Sequence, residues 1–175
     1  MSKKVIYGNC ALCGKKEKTK VYYRAAGGRY FNVVTPYPTG STQEIGCPIV
    51  EKYYKIIGAI LSTSLFWFYQ QSYTDGLHIK QSELLSYPVP NLDKLTDTEI
   101  QIINKEYDNY LEDIEKNTIV HQTAGYNVDS FKEYKLGKSK HYIDKLDDVV
   151  GKLYGLTKEQ VDYIKNYEIN VRTRD

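Results

Sequence analysis

Cysteine is scarce in this chain, with 3 in 175 residues, at Cys10, Cys13 and Cys47. A small, odd number excludes a disulfide framework as the source of stability, and no apolar stretch behind Met1 reads as a signal peptide. The chain is therefore expected in the cytoplasm. Long hydrophobic runs are missing too. The most apolar segment, Ile56 to Tyr69, covers 14 residues and includes Ser62, Thr63 and Ser64, whereas a membrane-crossing helix needs about 20 apolar residues. No membrane partner is expected. Proline (5) and glycine (12) are too few for a collagen-like or low-complexity chain, and 41% apolar with 26% charged residues is ordinary for a globular protein. At this length a single domain, with or without a helical appendage, buries roughly 70% of its unfolded surface.

Catalytic signatures are absent as well. There is no G-x-S-x-G, P-loop, G-x-G-x-x-G or H-E-x-x-H, and no H-x-E accompanied by C-x-x-C. The 3 histidines, His78, His121 and His141, sit in unrelated segments. No catalytic residue is expected in this chain. Cys10 and Cys13, followed by Gly14, have the spacing of a metal knuckle, but one pair supplies only two of the four ligands of a structural Zn site. Two reduced thiols and no metal are expected. Zn at Cys10 and Cys13, completed by Cys47 and His78 or His121, is the alternative.

Tyrosine is what the chain has in excess, 18 against 4 Phe and 1 Trp. Most of its aromatic rings therefore carry a hydroxyl and can pack at a wet boundary. The net charge of +2 conceals an uneven distribution. Residues 1–30 hold 8 Lys and Arg against Glu17 alone, while residues 91–150 hold 8 Lys against 13 Asp and Glu. A basic end opposite an acidic helical segment points toward a polyanionic partner.

The pattern along the chain predicts a mixed α/β (α+β) fold: a small N-terminal β region around a buried helix, followed by C-terminal helices. Val5–Tyr7 and Lys20–Arg24 read as a hairpin, Arg29 to Val34 as a strand and Thr35 to Cys47 as a loop. From Pro48 the pattern turns helical, with Ile56 to Tyr69 as the buried spine. Thr74-Asp75-Gly76 marks a turn, Ile79 to Leu85 a short helix or irregular segment, and Tyr87-Pro88-Val89-Pro90 an extended boundary. Thr96 with Glu99 forms a capping box ahead of an acidic helix whose Ile100, Ile103, Tyr107, Tyr110 and Ile114 make one apolar stripe. Residues 118–138 read as irregular. Ser139 then caps a helix carrying Ile143, Leu146, Val149, Val150 and Leu153 and ended by Gly155, and Thr157 with Gln160 starts the last helix.

Arg24 and Arg29 flank Ala25-Ala26-Gly27-Gly28, so two guanidinium forks project beside backbone without bulk. Such a pair suits a phosphate or a guanine edge, and Tyr22, Tyr23, Tyr30 and Tyr37 interleave with it. A hairpin whose arginines pair with the acidic helices is the competing structural explanation.

The segments Tyr22 to Phe31, Leu61 to Tyr69, Tyr73 to Ile79, Tyr87 to Pro90, and the tail from Ser139 to Asp147 continued by Leu153 to Thr157 and Tyr163 to Ile169, occur in an order that resembles the C-terminal target-recognition region of type IIG restriction-modification enzymes and TaqI-like adenine-N6 DNA methyltransferases. The resemblance spans about residues 20–172. It implies a target-recognition core over 1–90, a spacer helix and connection over 91–138, and a helical tail over 139–175. It further implies double-stranded DNA as partner, together with the methyltransferase or nuclease part of the same system. S-adenosylmethionine and Mg belong to that catalytic part, whose cofactor and N-P-P-Y motifs have no counterpart here; the chain is expected to be an excised piece, a split subunit or a stand-alone specificity module. DNA contacts are expected from Arg24, Arg29, Tyr30, Ser41, Thr42, His78, Lys80, Lys138 and Lys140. The alternative is a module that docks on a separate methyltransferase or nuclease subunit through the Ile100 to Ile114 stripe.

Overall fold

The computed structural model describes residues 19–26, 32–122 and 130–173. Lys20–Arg24 (β1) alternates exposed Lys20 and Arg24 with buried Val21 and Tyr23, so one face of the strand lies on the core. It is the central strand of an antiparallel sheet in the order β2-β1-β3, between Val34–Thr35 (β2) and Glu44–Pro48 (β3). The expected partner Val5–Tyr7 lies outside the described residues. β3 corrects the reading of Thr35 to Cys47 as all loop: Ile45 and Cys47 stand opposite Tyr23 and Val21, and the strand closes at Pro48. Gly46 faces the Tyr22 ring, where a Cβ would come 3.1 Å from Cε1. The turn-forming residue is thus a close approach inside a strand.

The spine is two helices, not one. Tyr54–Leu61 (α1) is buried continuously from Ile56 to Leu61, and Ser64–Tyr73 (α2) begins afresh after Ser62 and Thr63. Thr63 adopts an extended conformation and its hydroxyl accepts from Phe66 N at 3.2 Å, which caps α2 and breaks the apolar run. Gln81–Ser86 (α3) is the short helix before the Tyr87–Pro90 segment, and Tyr87 and Val89 are themselves buried.

Asp97–Lys116 (α4) starts at the Thr96/Glu99 capping box and buries Ile103, Tyr107, Tyr110, Leu111 and Ile114 against α1 and Lys140–Leu153 (α5). The stripe is therefore interior and offers no docking seam. Ser139 does not cap α5 with its side chain; it is buried and its hydroxyl accepts from Asn117 Nδ2 at 3.4 Å. Gly155, at φ +68°, ends α5, with Leu156 N returning to Gly151 O at 3.0 Å. Lys158–Asn166 (α6) carries the Thr157/Gln160 box, and Ile169–Arg172 (α7) follows. The reading of 118–138 as irregular is corrected at both ends of that stretch: Thr118–Gln122 (β4) and Ser130–Tyr134 (β5) pair as a two-stranded antiparallel ribbon. One hydrophobic cluster draws on residues from Val21 to Val150, so sheet and helices share a core. Among the described residues no helix is long and apolar enough to cross a membrane.

Helix and sheet are locked at one point. Tyr107 reaches across α1 at Gly58 and donates its hydroxyl to Val34 O at 2.6 Å, while Val34 N donates to Ser62 Oγ at 3.2 Å. A Cβ on Gly58 would overlap that hydroxyl and sit 2.5 Å from Tyr107 Cζ. Gly58→Ala is accordingly expected to destabilise the fold by about 1–3 kcal/mol in urea unfolding. Combining it with Tyr107→Leu should lose less than the sum of the two single changes, because both act on one contact.

A second lock holds the tail. Buried Asp147 accepts from Ser64 N at 2.7 Å, and Arg172 donates to Ser64 Oγ at 3.0 Å with its guanidinium 4.1 Å from the Trp67 ring centre. Burial pushes the Asp147 carboxyl up to about 6, against the lowering effect of the Ser64 hydrogen bonds and of Lys140. A raised carboxyl favours the folded state while protonated, so its contribution is complete below the unfolded value near 4 and is lost as pH rises through about 6. Relative to wild type, Asp147→Asn should therefore gain stability between pH 4 and pH 7, by roughly 2–3 kcal/mol at 1.4 kcal/mol per pH unit. Denaturation midpoints at pH 4, 5.5 and 7 measure it, and parallel curves would refute it.

Candidate functional site

The C-terminal end of β1 gathers most of the expected contact residues that are described. Arg24 stands opposite Glu44 in the sheet and projects into solvent, where its Nε donates to Gln43 Oε1 at 3.4 Å. Among the described residues no carboxylate lies within ion-pairing distance of Arg24, so the pairing of this arginine with the acidic helices does not occur there. Beside it the β2–β3 loop folds back on itself: Gly40 takes φ +84°, Ser41 Oγ accepts from Gln43 N at 3.3 Å, and Ser41 O accepts from Glu44 N at 3.1 Å. Glu44 in turn accepts from Thr39 N at 2.7 Å and from the Thr39 hydroxyl. Thr42 is left exposed at the tip of this turn.

The chain after Arg24 forms a rail to which a second loop is attached. Ala25 N donates to Gln43 O at 2.9 Å, Ala25 O accepts from Ile79 N at 2.9 Å, and Ala26 bridges to His78. The 75–79 turn is built by Asp75, whose Oδ1 accepts from Leu77 N and His78 N at 2.9 and 2.8 Å. Those backbone hydrogen bonds, with His78 first, hold the Asp75 carboxyl down at about 2. Gly76, at φ +68°, supplies the left-handed residue of the turn. His78 Nδ1 faces Asp75 Oδ2 at 3.3 Å, and Lys80 lies 3.9 Å from Asp75 and 3.4 Å from Glu83, both side chains being exposed. Buried Gln70 supports the loop from below by donating to His78 O at 3.3 Å and accepting from Asn32 Nδ2 at 3.0 Å.

Arg24, Ser41, Thr42, His78 and Lys80 thus share one rim, joined by the Ala25–Ala26 rail. Lys138 and Lys140 sit apart, in the turn leading into α5. Lys138 is exposed, whereas Lys140 is largely covered and ion-paired with Asp144. Arg29, Tyr30, Cys10 and Cys13 lie outside the described residues. Cys47 is buried, and burial pushes its thiol up; among the described residues no group of three or more His, Cys, Asp or Glu is placed to hold a metal ion.

Sequence reasoning missed Gln43, which ties the arginine to the rail, and a knot around Glu115. That carboxylate accepts from Tyr37 and Tyr134 hydroxyls at 3.0 Å each and from Lys132 Nζ at 2.6 Å. Partial burial raises the Glu115 carboxyl, but these three donors outweigh it and the net effect is a lowering, while burial and the same carboxylate drive both tyrosines well up. The β-branched and aromatic content of Thr118-Ile119-Val120 and of Phe131 to Tyr134 was the available signal for the ribbon that carries Lys132 and Tyr134.

No family model matches the chain, and neither a curated protein nor a solved structure matches it.

The rim depends on the Asp75 turn. Asp75→Ala should raise the amide exchange rate of Ile79 at least tenfold while leaving core amides such as Ile57 unchanged; equal protection in the variant would show that the turn is held by other contacts.

Proposed function

We propose that this chain is a DNA target-recognition domain of the type II restriction-modification kind, directing an adenine-N6 methyltransferase or endonuclease to its sequence and performing no catalysis itself. The observation that carries the reading is the rim of Arg24, Ser41, Thr42, His78 and Lys80, which presents donors and positive charge around a narrow Ala25–Ala26 backbone, with no carboxylate within ion-pairing distance of Arg24 among the described residues. Arginine in that setting can grip a phosphate or read guanine O6 and N7 with two donors. Short hydroxyl side chains on a fixed turn suit either a base edge or a phosphate oxygen. The order of motifs from Tyr22 to Ile169 supports the same assignment.

On this reading the partner is double-stranded DNA, joined by the methyltransferase or nuclease part of the same system. The chain binds no cofactor of its own; S-adenosylmethionine and Mg serve the catalytic part. Its place is the cytoplasm, where that DNA is.

Isolated from the catalytic part, the domain binds weakly, with a dissociation constant on the order of 10⁻⁵ M at physiological salt for unselected duplex. Selection from a random-sequence duplex library at low salt is expected to enrich a short motif. Arg24→Ala should weaken binding to the selected duplex about tenfold, the scale of one lost base or phosphate contact of 1–3 kcal/mol. A folded protein that retains no duplex at low salt overturns the proposal.

A further inference from the structure

The β4–β5 ribbon presents two faces of different character. One face is fastened to the body: Tyr134 and Lys132 reach Glu115, and the Thr118 hydroxyl donates to Ile114 O at 2.7 Å. The other carries Ile119, His121, Phe131 and Glu133, with His121 stacked on Phe131 at 4.9 Å and 15°. Ile119 and Phe131 on that face remain 44% and 37% exposed. A two-stranded ribbon fits the roughly 12 Å major groove of B-DNA.

At the foot of the ribbon lies an open cavity of about 350 Å³ lined by Lys116, Asn117, Thr118, Ile119, Lys135 and Lys138. Three lysines line it from two different segments, the end of α4 and the turn after β5. Their acidic neighbours neutralise them only in part. Glu133 is shared between Lys135 and His121 at 2.6 Å each, Glu112 stands 4.0 Å from a largely exposed Lys116, and Lys138 has no carboxylate partner among the described residues. Exposed Lys138 and largely exposed Lys116 are the cations here that suit a phosphodiester.

The other end of the ribbon touches the rim. Gly40 approaches so closely that a Cβ there would be 2.9 Å from Ser130 O, and Tyr37 joins the same loop to Glu115. From Thr118 to Gln122 the strand covers about 14 Å at 3.4 Å per residue, about four base-pair steps at 3.4 Å each. The ribbon thus meets the cavity at one end and the β2–β3 loop of the rim at the other.

We infer that β4–β5 lies in the major groove of the bound duplex, with a backbone phosphate seated in the Lys116–Lys135–Lys138 cavity. The inference rests on the DNA-binding reading and adds the element that reads the groove. Each phosphate neutralised steepens the plot of log affinity against log salt by about 0.9. With the selected duplex, Lys116→Ala/Lys138→Ala is expected to flatten that slope by about one while circular dichroism shows an intact fold. A duplex substituted with 5-iodouracil, whose iodine projects into the major groove, should form light-induced adducts that map to Phe131 or His121. If wild type binds DNA but the slope is unchanged and the adducts fall elsewhere, the ribbon serves another purpose, such as docking a protein, and this inference fails while the DNA-binding reading stands. If wild type retains no duplex, both fail.

Discussion

The Tyr107 hydroxyl bond to Val34 is the constraint on which the sheet's position depends. β2 is only two residues long and lies at the edge of the sheet, too little to fix its own register by pairing alone. An edge strand exposes unpaired amides and carbonyls. Here the outward carbonyl and amide of Val34 are taken by Tyr107 of α4 and by Ser62 in the break between α1 and α2, and the tyrosine bond is possible only because Gly58 lets its ring cross α1. A leucine at 107 could fill much of the space but would leave the edge carbonyl short of a donor. Fixing β2 fixes where the β2–β3 loop departs, and that loop carries Ser41 and Thr42.

Glu115 performs the corresponding task for the ribbon. It stands one residue before the end of α4, where a carboxylate is unfavourable because the helix dipole presents negative charge. Two tyrosine hydroxyls and one lysine drawn from the β2–β3 loop and β5 compensate it. The loop and the ribbon are thereby referred to the same helix terminus. This gives the tyrosine excess a physical use: at positions 37, 107 and 134 the ring packs while the hydroxyl closes a polar contact between elements distant in sequence, which phenylalanine could not do.

What was legible in the sequence was local. The capping residues Thr96 with Glu99 and Thr157 with Gln160, the Gly155 stop and the period of Ile103, Tyr107, Tyr110 and Ile114 all encode their own neighbourhood, and each appears where the pattern puts it. The alternating pattern of β1 belongs with them. β3 was hidden because Gly46 and Pro48 carry turn signals, although here one is a close approach to Tyr22 and the other a strand end. The ribbon was hidden because only Tyr134 of it packs against the main core, so hydrophobic alternation, the usual mark of a strand, is weak. The break at Ser62–Thr63 was masked by apolar residues on both sides. For the site, the residue types were legible at Arg24, Ser41, Thr42, His78 and Lys80, but their grouping depends on the Ala25–Ile79 and Ala26–His78 contacts, which join segments more than fifty residues apart.

The charge distribution also changes meaning once the fold is known. The acidic excess of residues 91–150 is answered in part by cations from elsewhere on the surface, as in Lys55 with Asp108, Lys52 with Asp93 and Lys165 with Asp148. The exposed pair among them, Lys52 with Asp93, adds little stability. Their consequence is to divide the cations into those already matched and those that are not. Lys140 belongs to the first group through Asp144, whereas Arg24 and Lys138 have no carboxylate partner among the described residues. Two neighbouring lysines of similar sequence context therefore differ in what they can offer a ligand: moving Lys140 onto a phosphate would forfeit an existing, partly shielded contact, while Lys138 gives up only water. For the proposed polyanionic partner, cations without a carboxylate partner such as Arg24 and Lys138 count for more than the +2 total.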